Sequence, residues 1–168
     1  GLWQQLGGTI SGEVIEDTTG SRLSARPNLT PTTVHWSPPL SEIIRSINKY
    51  SNNVMTRLLM LTMGRNSNDT GVTLEAGQQA VYDFLAERQI PHQSLVLDNG
   101  SGLSRQTRIS TSDLGAALHF AWHSPYMPEF LASLPLSGMD GTMSSRLTDT
   151  TARGRMHVKT GSLDDVAG

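Results

Sequence analysis

Residues 40–64 constrain the fold of this chain more than any other stretch. "LSEIIRSINKY" (40–50) places Leu40, Ile43, Ile44 and Ile47 on one helical face. "VMTRLLMLTMG" (54–64) resumes as a second apolar helix ending at Gly64, a plausible C-terminal glycine. Between them lies Ser51-Asn52-Asn53, residues that favour turns and caps over helix interiors. Pro38-Pro39 breaks the chain just before the first helix. A fold built on this segment must bury two helices while presenting a polar joint between them.

The remaining pattern is mixed. "TISGEVIED" (9–17) and "TVHWS" (33–37) read as strands, separated by a Thr-, Ser-, Gly- and Pro-rich loop over 18–33. "TLEAGQQAVYDFLAERQ" (73–89) is an amphipathic helix with Ala76, Ala80, Val81, Phe84 and Leu85 inward, and Pro91 follows it. "SLVLD" (94–98) predicts a strand. Ser110 and Asp113 form a capping box for a helix over 111–123. "PEFLASL" (128–134) is a short helix, and "GRMHVKTG" (154–161) a strand. Several helices beside few strands favour an α+β domain.

Composition excludes more than it proposes. A net charge of −2 gives no basic excess for nucleic acid. No apolar run approaches the roughly 20 residues that cross a bilayer, and "GLWQQLGG" lacks the charged region and long apolar segment of a signal peptide. With no cysteine, thiol catalysis, disulfides and cysteine zinc sites are excluded. His119 and His123 stand four apart on a predicted helix, but no third metal ligand is evident, and a structural or surface role suits them better. Met55, Met60 and Met63 read as core filler.

Two short motifs carry chemistry. In "KYSNN", Ser51 can relay a proton, and Asn53 can both donate and accept hydrogen bonds to a substrate amide. The plainer alternative is that both only cap the second helix. In "VKTGS", Lys159 supplies positive potential and the Thr160 hydroxyl can bind a carboxylate. Gly161 lets a substrate backbone lie against the chain, and the Ser162 amide can face a developing oxyanion. Its plainer alternative is an edge strand protected by lysine. Together the two fit an acyl-transfer template in which a Ser-x-Asn element and Lys-Thr-Gly act beside a nucleophilic serine.

"PLSEIIRSINKYSNN", "LDNGSGLSR", "LPLSGMDGT" and "HVKTGSL" fall in the order seen in the serine D-alanyl-D-alanine carboxypeptidase/endopeptidases. The chain resembles that family, the class C low-molecular-mass penicillin-binding proteins (peptidase S13), over about residues 36–168. The resemblance implies a partial penicillin-binding-protein/β-lactamase-like domain: a helical subdomain with an incomplete antiparallel sheet. It makes 38–168 part of a DD-peptidase catalytic domain and 1–37 a remnant of the region preceding the second motif. Ser51, Asn53 and Lys159 would be catalytic, with Thr160, Gly161 and Ser162 binding substrate. Arg105, in the Gly-Leu-Ser-Arg segment, would anchor the carboxylate of diaminopimelate, for which the planar guanidinium fork is suited. No cofactor is implied. Peptidoglycan peptides and β-lactams would be the partners of the intact, periplasmic or otherwise extracytoplasmic bacterial protein.

One element of the template is missing. Only Ser46-Ile47-Asn48-Lys49 has a lysine three residues after a serine. Ser46 lies mid-helix, where its amide is committed to the helix and cannot serve an oxyanion hole. The expectation is therefore that the nucleophile motif lies N-terminal to Gly1, that further strands follow Gly168, and that the fragment alone is inactive. An unpaired edge near 154–168 would then invite strand exchange between copies. Rival readings are a β-lactamase or esterase on the same scaffold, which would deacylate penicillin quickly or lack a diaminopimelate pocket, and a non-catalytic binding protein that has lost its serine.

Overall fold

The computed structural model describes residues 2–9, 11–12, 34–65 and 73–162. The chain divides into two compact units, Gly1–Ser37 and Pro38–Gly168. In the first, α1 spans Leu2–Gln5. Most of the expected strand over 9–17, all of the expected loop over 18–33 and residues 66–72 lie outside the described residues. The expected strand over 33–37 is not found: residues 34–37 have no regular structure and are exposed.

The second unit is helical: α2 (Leu40–Tyr50), α3 (Asn53–Met63), α4 (Leu74–Glu87), α5 (Thr111–Trp122) and α6 (Met127–Ser133), with a 3-10 turn at Gly141–Met143. The expected helices appear to within two residues at each end, the ordinary uncertainty of helix ends. α2 packs on α6 and the 3-10 turn, α3 packs on α4, and α5 meets α6. Ile47, Met60, Ile90 and Met143 form the buried apolar core. The α3–α4 contact is close because Gly77 faces the Met60 carbonyl, and a Cβ at Gly77 would collide with that oxygen. That approach explains why glycine stands mid-helix despite a propensity cost of about 1 kcal/mol. Of the expected inward residues, Leu40, Met63 and Phe84 are exposed instead. Phe84 packs edge-on against Phe120, with ring centroids 6.0 Å apart.

The strands predicted at 94–98 and 154–161 shrink to single antiparallel bridges, Val96 with Arg108 and Leu136 with His157. At 94–98 side chains replace the rest of the ladder. Leu97 donates its amide to Tyr82 Oη, and the Leu97 and Asp98 carbonyls accept from Gln78 Nε2. Around 154–158, the Ser137 amide donates to the Met156 carbonyl and Val158 to that of Pro135. Ser137 Oγ accepts from the Met156 amide. Pro135 has no amide to return a bond. The apolar alternation was present, but backbone partners for a longer ladder are absent among the described residues.

Only half of the capping box expected at 110–113 forms. Ser110 Oγ accepts from the Asp113 amide at 3.1 Å. The Asp113 carboxylate does not close the box, however. It accepts from Ser94 Oγ (2.6 Å) and the Ser94 amide (2.9 Å), and Ser94 Oγ accepts from the Ser110 amide (2.7 Å). Asp113 is thus buried yet ionised: the Ser94 hydroxyl, helped by the Ser94 amide, lowers its pKa against opposing desolvation. A depressed carboxylate pKa stabilises the fold above the unfolded-state value, and that gain is lost as pH falls through the folded value. Asp113→Asn should lower the melting temperature at pH 7 and flatten its fall between about pH 5 and pH 3. An unchanged acid slope in thermal melts of the variant would rule out Asp113 as the linked group.

Candidate functional site

The site begins where α2 ends. Ser51 adopts a left-handed conformation (φ 52°, ψ 50°), and its amide still bonds the Ile47 carbonyl. Such a geometry is unfavourable for a non-glycine residue, by roughly 1 kcal/mol or more, and it turns the chain sharply. Asn52 then starts α3: its Oδ1 accepts from the Met55 amide at 3.0 Å, and its carbonyl accepts from Thr56 Oγ1 at 2.7 Å. The cap therefore falls to the residue between the two candidates, so neither Ser51 nor Asn53 is spent on capping. Asn53, the first residue of α3, donates from Nδ2 to the Ser101 carbonyl at 2.7 Å. Its Oδ1 keeps its acceptor capacity.

Across the cleft runs the segment 157–162. The Lys159 amine donates to Ser51 Oγ, 108 positions away in sequence, and to the Thr160 carbonyl at 2.8 Å. Lys159 is exposed overall, yet desolvation lowers the pKa of its amine below the ordinary lysine value. The two facts are compatible, because exposure is summed over the whole side chain whereas the pKa answers to the surroundings of Nζ. Ser51, Asn53, Lys159, Thr160, Gly161 and Ser162 all line one open cleft of about 410 Å3. All the residues of both motifs singled out from sequence are brought together there.

Arg105 is not among them. It is exposed on the glycine-rich loop whose Ser101, Gly102 and Leu103 do line the cleft. That loop is shaped by Asn99, whose Oδ1 accepts from the Ser101 amide (3.0 Å) and hydroxyl (2.6 Å). Ser46 and Lys49 are also outside the lining. Ser46 is exposed, and Lys49 is committed to Asp140 at 2.5 Å. Asp140 is lowered in pKa although desolvation opposes it, because the Lys49 ammonium and the Leu136 amide both donate to its carboxylate. His119 and His123 stack with centroids 4.3 Å apart, and His123 Nδ1 lies 2.9 Å from the His119 carbonyl. Among the described residues no three His, Asp or Glu side chains converge as metal ligands.

Several lining residues were not singled out from sequence, among them Asn48, Thr56, Ser101, Thr142 and Arg146. Thr142 closes the "LPLSGMDGT" segment that carries part of the resemblance, but no role was assigned to it; Arg146 lies just beyond, in a stretch without periodicity, where only proximity reveals it. Among the lining residues there are two cations, Lys159 and Arg146, and no carboxylate. The cleft is therefore electrostatically suited to an anion.

A family model described as the D-Ala-D-Ala carboxypeptidase 3 (S13) family matches residues 2–168. The chain is 33% identical over 138 residues to a D-alanyl-D-alanine carboxypeptidase of Actinomadura sp. (strain R39), covering 79% of this chain and 26% of that protein. It is 31% identical over 135 residues to a penicillin-sensitive carboxypeptidase A of Dictyostelium discoideum, covering 77% of this chain and 25% of that one. It thus spans about a quarter of the length of these curated relatives. Among solved structures, it is similar to penicillin binding protein 4 (dacB) from Haemophilus influenzae, with a TM-score of 0.68 at 27% identity over 77% of this chain and 29% of that chain. A second structure of that protein, complexed with a novel β-lactam, gives 0.71 at 24% identity over 96% of this chain and 36% of that chain, a likeness of fold.

The geometry of the helix break yields a prediction. Asn52→Ala removes the cap and should destabilise the chain by about 1 kcal/mol, whereas Asn52→Asp or Asn52→Ser should keep most of the stability. Urea unfolding of the three variants checks this; equal losses in all three would mean that the amide side chain serves something other than the cap.

Proposed function

The chain belongs to the D-Ala-D-Ala carboxypeptidase 3 (S13) family, and on that premise we propose that residues 38–168 form part of a serine peptidase domain acting on peptidoglycan stem peptides. Residues 1–37 precede the second motif, and a serine elsewhere in a longer polypeptide is the nucleophile. That serine attacks the carbonyl before a terminal D-alanine, or before a cross-link, and water hydrolyses the acyl-enzyme. The observation that carries this reading is the hydrogen bond from Lys159 to Ser51 across one cleft.

Each side chain then has a task its bonding suits. Ser51 Oγ accepts from Lys159, so its own proton is free to pass toward the leaving amine. Lys159 holds positive charge beside the reacting carbonyl, a charge that its lowered pKa makes easier to remove. Asn53 offers Oδ1 to a substrate amide, with its Nδ2 already engaged. Thr160 binds the terminal carboxylate, Gly161 admits the substrate backbone, and the Ser162 amide faces the oxyanion. Arg105, on the loop that lines the cleft, anchors the diaminopimelate carboxylate. No helix among the described residues is long and apolar enough to cross a membrane. We place the reaction outside the bacterial cytoplasm, where its substrate is. Residues 154–158 pair with 135–137 along one side, leaving an edge for a strand of the rest of the polypeptide or of a second copy.

In the longer polypeptide, Ser51→Ala and Lys159→Ala should each slow acylation by a fluorescent penicillin and release of D-alanine by about 10²- to 10⁴-fold. Wild-type rates in Ser51→Ala would refute the assignment, and rapid turnover of penicillin would point to a β-lactamase instead.

Arg105 has a separate test. Arg105→Ala should lower kcat/KM roughly 10- to 150-fold on a substrate carrying the diaminopimelate carboxylate, and little on one lacking it. Arg105→Lys should recover only part of the loss. Equal losses on both substrates would make Arg105 a residue of the common machinery or of the fold.

A further inference from the structure

We infer that Thr142 is a positioning residue that orients the Thr160 hydroxyl toward the carboxylate of the substrate; the inference rests on the reading of Thr160 given above. Thr142 Oγ1 and Thr160 Oγ1 lie 2.7 Å apart, an ordinary O–H···O distance. Distance alone leaves either hydroxyl as the donor. The chemistry of the cleft decides between them. A carboxylate accepts hydrogen bonds only, so a threonine that binds one must direct its single proton at it. Thr160 can do so only if it accepts from Thr142. With the bond reversed, Thr160 would present lone pairs to an anion and repel it.

Thr142 is held firmly enough to impose that direction. It sits between two anchored neighbours. Asp140 is fixed on one side, with Oδ2 taking the Lys49 ammonium at 2.5 Å and Oδ1 the Leu136 amide at 2.8 Å. Met143 is buried on the other, and its carbonyl accepts from the Gly138 amide at 3.0 Å. Gly141, between Asp140 and Thr142, has φ 52° and lies against the Lys49 carbonyl, where a Cβ would collide. Only glycine meets both demands at this position. The last turn of α2, which leads into Ser51, thereby also sets the position of Thr142. One helix end serves the proton-relay serine directly and the carboxylate-binding threonine through a loop.

The test uses the full-length enzyme and two probes that differ only in the anion: a penicillin and its methyl ester. Thr142→Val keeps the shape and removes the hydroxyl. It should slow acylation by the free acid roughly 3- to 10-fold, the size of one ordinary hydrogen bond, and leave the ester nearly unchanged. The loss should fall on the apparent affinity and not on the limiting acylation rate. Thr142→Ser should restore the wild-type preference, and Thr142→Val with Thr160→Val should be no worse than Thr160→Val alone. Thr142→Ala stands in if the valine variant melts early. Equal losses on acid and ester, or additive losses in the double variant, would overturn the inference while leaving the Thr160 reading intact. If Thr160→Val does not change the acid-to-ester preference, the reading of Thr160 fails and the inference falls with it.

Discussion

The helix break at Ser51 is the constraint on which the site depends. A continuous helix through 40–63 would satisfy its own backbone and carry Ser51 and Asn53 about 200° apart around its axis. The left-handed turn at Ser51 ends α2, and the Asn52 cap starts α3 at once. Two helices of eleven residues each then meet at a polar joint, anchored by buried Ile47 on one side and Met60 on the other. The local cost of the turn is offset by a cap and by the packing of both helices. The result is a serine and an asparagine presented toward the same cleft from a rigid scaffold.

A second set of contacts fastens the opposite wall to this joint. Lys49, two residues before Ser51, holds Asp140, and Asp140 holds the segment that carries Thr142 and Arg146. Asn48, on the same turn, donates to buried Ser133 Oγ at 2.8 Å and ties α2 to α6. Because these bonds link segments 85 to 91 positions apart, the walls of the cleft are set by long-range polar contacts as much as by the apolar core. Such contacts are strong only when each partner is satisfied, and no buried side-chain polar atom among the described residues lacks a partner.

The proposed reaction makes definite demands on the cleft. A peptidase that recognises a free carboxylate and expels an amine needs positive potential, a proton relay and hydroxyl donors close together, and no competing acid. The cleft has Lys159 and Arg146, Ser51, Thr142 and Thr160, and no carboxylate in its lining. The lack of acids in the lining matters as much as the cations, because an internal carboxylate there would compete with any bound anion for the same positive groups.

Helical periodicity and turn chemistry made α2 to α6 legible, because 3.6-residue spacing and Asn, Ser, Gly and Pro punctuation act locally. The Ser51-Asn52-Asn53 and Lys159-Thr160-Gly161 motifs were legible as residue types in order. The strands at 94–98 and 154–161 were not, because alternation reports a preference for extended backbone and says nothing about whether a pairing partner exists. Nor could sequence tell that Asn52 is the cap, or that Leu40, Met63 and Phe84 face outward. For Ser46 and Lys49 sequence and fold agree: the mid-helix position of Ser46 already argued against a catalytic couple, and the fold leaves Ser46 exposed and gives Lys49 to Asp140. What the sequence by itself determined was the set of helices, the polar break and the chemical groups available. Tertiary structure alone decided that Lys159 reaches Ser51 and that Thr142 meets Thr160, because those contacts join residues far apart in the chain and follow only from how the helices pack.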